Sequence, residues 1–276
     1  MSDVKLSSLF KFRAFENNHI EALIKNELWF SVGSAFNDPF DCSINLPMTW
    51  ATGETLLKFI AHHTELPMVL HREGKSYSEI KKIIEVTIKN MLDKPIVFNG
   101  ESSDIYKEII FGNLEKSLVL CLSKNVKNNV LWSHYSNWHT GFCIELDLDS
   151  LLKSMDLYCH SEVIYDDKPY DILSNIGSGN NYSTRQLIKD ICFKKCTNWK
   201  YEEEYRFVHN KMAKKGVTST AISYNENCVK AIYFGCKADE KEIQSLCNKL
   251  KNRNIIFYKM EIDNNSSSYE LKAVVM

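Results

Sequence analysis

The stretch Val119–Leu146, VLCLSKNVKNNVLWSHYSNWHTGFCIEL, constrains the fold more than any other part of the chain. A short apolar run ends at Ser123, a polar loop follows, and a second apolar run begins after Gly141, an order that predicts strand, loop, short helix and strand. Between the strands, Trp132, Ser133, His134, Tyr135, Trp138 and His139 crowd aromatic faces and hydrogen-bonding tips into eight residues. Such mixtures line pockets more often than they fill cores. Trp132 and Trp138 are expected in the core, while His134, Tyr135 and His139 carry polar tips suited to a ligand or to nearby backbone.

A second segment, Trp199–Val208 (WKYEEEYRFV), has the same character and adds three consecutive carboxylates. Alternation along a strand would put Glu202, Glu204 and Arg206 on one face and Glu203 and Tyr205 on the other. Successive acids repel and are poor strand formers. They either cap an exposed strand end or aim a carboxylate into a pocket to steady positive charge or take a proton.

Around these two segments the pattern is mixed α and β. Ser8–Phe15 alternates as a strand, with Leu9, Lys11 and Arg13 on one face and Phe10 and Phe12 on the other. Asn18 and Glu21 have capping-box spacing ahead of a short helix. Leu28–Ser31 reads as a strand, and Phe36–Cys42 as a Pro-bearing turn in which Asn37, Asp38 and Asp41 bond nearby backbone. Residues 54–117 have helical periodicity and predict an inserted helical layer in a single α+β domain of residues 1–276. Further along, Asp149–Met155 reads as a helix, Glu162–Tyr165 as a strand, Gly177–Ser183 as a flexible loop and Thr184–Lys195 as a helix. Lys230–Phe234, Ile255–Ile262 and Glu270–Val275 are strand patterns, and Asp239–Lys251 is helical.

Composition narrows the function classes. With 34 basic and 35 acidic residues the net charge is −1, so no overall field recruits nucleic acid or an anionic membrane. A local basic run, Arg185, Lys189, Lys194, Lys195 and Lys200 with Lys211, Lys214 and Lys215, reads as a solvated face or a local polyanion site. Nine cysteines without framework spacing, no secretory leader and no apolar run of the roughly 18–20 residues that span a bilayer predict a cytoplasmic protein with reduced thiols. Neither His134, His139 and Cys143 nor Cys192 and Cys196 supply two convincing ligand pairs, so no metal is assigned. Gly177-Ser178-Gly179 lacks the third glycine of a phosphate-binding turn, and no nucleophile elbow is present.

Five blocks, LFKFRAF, LWFSVGSAFNDPFDC, VLCLS, NNVLWSHYSNWHTGFCIEL and WKYEEEYRFV, resemble in their order the bacterial domain-of-unknown-function family 2971, from Leu9 to about Phe234. A more distant likeness is to the ADP-ribosyltransferase fold. There a first strand ends in His or Arg, a later strand and short helix with Ser and Tyr line the nicotinamide pocket, and a further strand begins with the catalytic Glu. That likeness implies a bipartite β core with a helical insertion and NAD as substrate, and it leaves the acceptor unnamed, with protein and nucleic acid both open. It implies Glu204 as the catalytic carboxylate, Glu202 orienting the acceptor, and Arg13, Ser123, Ser133, His134 and Tyr135 binding NAD. The Ser-Thr-Ser triplet of that superfamily is missing. The chemistry suits these residues, because cleaving the nicotinamide–ribose bond creates an oxocarbenium-like sugar that a carboxylate stabilises. Two other readings are a metal-dependent nuclease using Asp38, Asp41 and Glu204, and a non-catalytic nucleotide- or protein-binding module.

Overall fold

Period-2 alternation makes Ser8–Arg13 the strand β1, and it feeds two cores at once. Leu9 joins the larger apolar cluster with Phe30, Leu120, Phe142, Ile232 and Phe234, while Phe12 joins a smaller one with Trp132, Tyr233 and Met260 on the opposite face. The computed structural model describes residues 6–42, 70–92, 115–168 and 184–276. Within them the fold is mixed α and β, built on one large, mostly antiparallel sheet.

After β1 come helix α1 (Asn17–Ile24) and β2 (Glu27–Ser31). The described part of the expected helical insertion, residues 70–92, is helical at residues 70–72 and in α2 (Tyr77–Leu92); the rest of it lies outside the described residues, as does the expected loop Gly177–Ser183. The central stretch forms β3 (Val119–Ser123), α3 (Asn129–Tyr135) and β4 (Phe142–Asp147). Then follow α4 (Leu148–Ser154), β5 (Leu157–Glu162), the short β6 (Ile164–Tyr165), α5 (Thr184–Cys192) and the short β7 (Lys194–Lys195). The chain closes with β8 (Glu204–His209), β9 (Ser219–Ser223), β10 (Val229–Phe234), α6 (Glu240–Leu250), β11 (Ile256–Ile262) and β12 (Leu271–Val275).

The ten-stranded sheet runs β12-β11-β10-β4-β1-β3-β2-β9, with β8 also on β3 and β5 on β8. It therefore divides into a wing of β1, β4, β10, β11 and β12 and a wing of β2, β3, β5, β8 and β9. β3 pairs with β8 from Val119↔Val208 to Ser123↔Glu204. On its other edge β3 meets β1 at Phe10↔Ser123 and β2 at Ser31↔Val119. The edge between those two pairs is left open, and the cavity lies there. The strands that carry Arg13, Ser123, Phe142 and Glu204 all belong to this one sheet.

Three local expectations are corrected. Helix α1 begins at Asn17 with Glu16 in the capping position, and Asn18 Oδ1 accepts from His19 N instead of closing a capping box. The helix expected to reach Lys195 stops at Cys192, because Lys194 and Lys195 pair in parallel with Ile164 and Tyr165. Trp138, expected in the core, is 70% exposed. Asn137, Trp138 and His139 all have left-handed φ, of 48°, 58° and 69°, and this turn throws the indole outward while Trp132 stays fully buried.

Gly141, between this turn and β4, holds the end of β1 in place. A Cβ added there would stand 2.1 Å from the Arg13 carbonyl oxygen, and backbone on both sides leaves nothing flexible to yield. Gly141→Ala is expected to lose about 1–3 kcal/mol in a urea titration, the usual cost of forcing atoms into filled space. An unchanged midpoint would show that the end of β1 can move.

Candidate functional site

A cavity of about 320 Å³ occupies the split between the wings. β1 contributes Lys11 and Arg13, β3 contributes Cys121 and Ser123, and the segment after β2 contributes Phe36, Asn37 and Asp41. From the other side come Tyr135 of α3, Lys195 of β7, and Glu202 and Glu204.

The carboxylates reach the cavity by a route that strand alternation does not describe. Thr197–Glu202 is a 3-10 turn, and Glu203 follows it with φ 46°, so the strand starts only at Glu204. The left-handed residue reverses the side-chain direction once. Glu202 and Glu204 thus share the buried side, while Glu203 is exposed and accepts a hydrogen bond from Asn125 Nδ2 at 2.8 Å. The Asn128 side chain fixes this turn against α3, since its Oδ1 accepts from Val130 N and Leu131 N and its Nδ2 donates to the Tyr201 carbonyl.

Behind the cavity lies a buried ionic cluster. Arg206 is fully buried, and its guanidinium spans two carboxylates: it bonds Asp41 at 2.7 Å through both Nη1 and Nη2, and Glu204 at 2.7 Å through Nε and 3.0 Å through Nη2. Its Nη1 also donates to the Cys192 carbonyl at 2.8 Å. Lys195 Nζ donates to Glu202 Oε2 and Glu204 Oε1, each at 2.6 Å, and lies 3.3 Å from Asp41 Oδ2. Tyr135 reaches in from α3, donating its hydroxyl proton to Glu202 Oε1 at 2.7 Å and accepting from Asn37 Nδ2 at 3.3 Å. The Glu204 N–H donates to the Tyr165 hydroxyl at 2.9 Å.

The two glutamates titrate apart, although they sit side by side. Burial alone would raise the Glu204 carboxyl, but the Arg206 guanidinium overrides it and holds that group well below the usual carboxylate range. Glu202 has no such clamp. Burial, then its hydrogen bond with Glu204, pushes it up to about 7 against the pull of Lys195. One carboxylate therefore keeps a fixed charge, and its neighbour exchanges a proton near neutrality. Burial disfavours the Lys195 ammonium, but Glu204, Asp41 and Glu202 outweigh this and keep it charged. Burial and the Glu202 charge raise the Tyr135 phenol, leaving it a donor.

Of the residues that sequence reasoning assigned to the site, Arg13, Ser123, Tyr135, Glu202 and Glu204 line this cavity. Ser133 and His134 do not. His134 is exposed and meets the edges of Tyr135 and Tyr201, because the helix turns that face outward. Ser123 is engaged locally, its Oγ accepting from Asn125 N at 3.1 Å. Asp41, read as a turn residue, instead binds Arg206, and Lys195, read within a basic surface run, is buried. Of the carboxylates proposed for a nuclease, Asp41 and Glu204 line the cavity but are both held by Arg206, and Asp38 is not among the lining residues, its Oδ1 accepting from Phe40 N at 2.9 Å. Among the described residues no group of His, Cys, Asp and Glu is arranged to hold a metal. None of the helices there is long and apolar enough to cross a membrane.

Residues 131–207 match a family model described as a protein of unknown function, DUF2971. The matched span runs from α3 into β8 and includes Tyr135, Lys195, Glu202, Glu204 and Arg206, whereas Lys11, Arg13 and Asp41 lie before it. The comparison with curated proteins and the comparison with solved structures give no match.

Proposed function

We propose that the chain is an NAD-using, ADP-ribosyltransferase-like enzyme that cleaves the nicotinamide–ribose bond and passes the ADP-ribosyl group to a protein or nucleic-acid acceptor. One observation carries this reading: Arg13, Tyr135, Glu202 and Glu204, drawn from separate parts of the chain, line one cavity. In the reaction the C–N bond breaks with its electron pair leaving on nicotinamide, and the ribose C1 takes on positive charge. Glu204, kept ionised by Arg206, supplies a standing negative charge for that carbon. The acceptor then attacks C1, and its proton passes to the Glu202 carboxylate, the group whose proton is mobile at neutral pH. Tyr135 orients Glu202 through its hydroxyl.

The same geometry supports a second reading, a nucleotide-binding module without turnover, because both Glu204 oxygens already accept from Arg206 and Lys195. Incubating the full chain with NAD and measuring free nicotinamide separates the two. Release proportional to protein concentration is the expected result. Thermal stabilisation by NAD without release would replace the enzyme with the module.

A further inference from the structure

Lys11 and Arg13 stand two residues apart on one face of β1, about 7 Å apart by strand geometry and well within electrostatic range. Among the described residues neither meets a formal negative charge within pairing distance. The Lys11 ammonium donates to the Cys121 carbonyl on the open edge of β3 at 2.7 Å, and Arg13 has no hydrogen-bond or ion-pair partner among the described residues. The three carboxyl groups on the cavity wall are all engaged by Arg206 and Lys195. Burial works against both cations, and the Arg13 charge adds to it at Lys11 while Glu16 offsets part of it at Arg13, which leaves Lys11 at about 8 and Arg13 at about 10. The β1 end of the cavity thus holds two positive charges with no ion-pair partner among the described residues.

We infer that Lys11 binds the phosphate groups of the ligand beside Arg13, which the ADP-ribosyltransferase likeness already implies for the ribose or pyrophosphate, with the Lys11 ammonium leaving the Cys121 carbonyl to meet them. A planar fork beside a mobile point charge suits phosphoryl oxygens, which accept from several directions. This deepens the NAD reading by assigning Lys11 as the residue that selects a diphosphate-bearing ligand, but it does not depend on turnover. The titratable and charged groups facing Lys11 are Arg13 on its own strand, Cys121 on β3, and Glu202 and Glu204 from the opposite wing.

The test is calorimetric titration of the full chain with inorganic pyrophosphate, ADP and adenosine, for wild type, K11M and K11R. Pyrophosphate and ADP are expected to bind and adenosine is not, K11M is expected to lose about tenfold or more in affinity for both, and K11R to restore it. Wild-type affinity should fall above about pH 8, while K11R should hold its affinity there. Melting curves accompany each variant, and if K11M is unfolded, the wild-type and K11R pH profiles decide the matter. No pyrophosphate binding by wild type, equal binding by K11M, or loss that K11R does not restore would each overturn the subsite. If NAD is not cleaved but pyrophosphate binding depends on Lys11, the enzyme reading fails and the subsite stands; if NAD is cleaved and K11M leaves its KM unchanged, the reverse holds.

Discussion

Arg206→Met is expected to lose about 3–5 kcal/mol of stability in chemical denaturation, enough to unfold a marginal domain. The side chain is fully buried and makes four bonds to Asp41 and Glu204, plus one to the Cys192 carbonyl. Methionine fills a similar volume but leaves two carboxylates in the interior with Lys195 as their remaining cation. Arg206→Lys should recover little, since a single ammonium cannot span both carboxylates as a planar fork does. The pH dependence has a definite sign. The folded Glu204 carboxyl is held below its ordinary range, so its contribution is present above the usual carboxylate pKa and is lost as pH falls through the folded value. Arg206→Met removes the main cause of that depression, so the variant should lose less stability than wild type on further acidification. A wild-type midpoint in the variant would show that the cluster contributes nothing to folding.

Much of the sheet was legible because strands signal themselves locally. β1, β3, β4, β10 and β11 follow apolar alternation or short apolar runs within a residue or two of their observed limits. β5 and β9 were missed. LYCHSE and STAIS are weakly apolar, and their places come from pairing with β8 and β2, which a local pattern does not record. The site was legible in its parts and not in its assembly. Tyr135 and the acidic triplet stood out by composition, and the period of two put Arg206 on the face of Glu204. Asp41 and Lys195 gave no such signal, because a turn aspartate and a lysine in a basic run look solvated until distant residues close over them. Lys195 in particular looks solvated as one lysine of a basic run, whereas the pairing of its strand with Ile164 and Tyr165 and its ion pairs with Asp41, Glu202 and Glu204 hold it inside.

Glu202→Gln is expected to reduce nicotinamide release and transfer by roughly a hundredfold or more, the range for losing a positioned general base. Glutamine keeps the size and an acceptor for the Tyr135 hydroxyl, but it has no proton to exchange. Wild-type rate should rise with pH through about 7 as Glu202 ionises, and the variant should lose that rise. Stability runs the opposite way. The folded carboxyl is raised above its unfolded value, so the folded state holds a proton the unfolded state has released; stability is full below the usual carboxylate range and declines as pH climbs toward about 7. Glu202→Gln removes this decline, so its melting temperature should equal or exceed wild type at pH 8 while its activity is low. Glu204→Gln should also slow the reaction by about two orders of magnitude through loss of the fixed charge, but it disturbs Arg206 and Lys195 and should melt earlier than wild type. Glu203→Gln, exposed and bonded to the Asn125 side chain, should be nearly silent in both measurements. Parallel losses at all three positions, or a Glu202→Gln enzyme that keeps the wild-type rate and pH profile, would remove Glu202 from the chemistry and leave the triplet as a structural hinge between the 3-10 turn and β8.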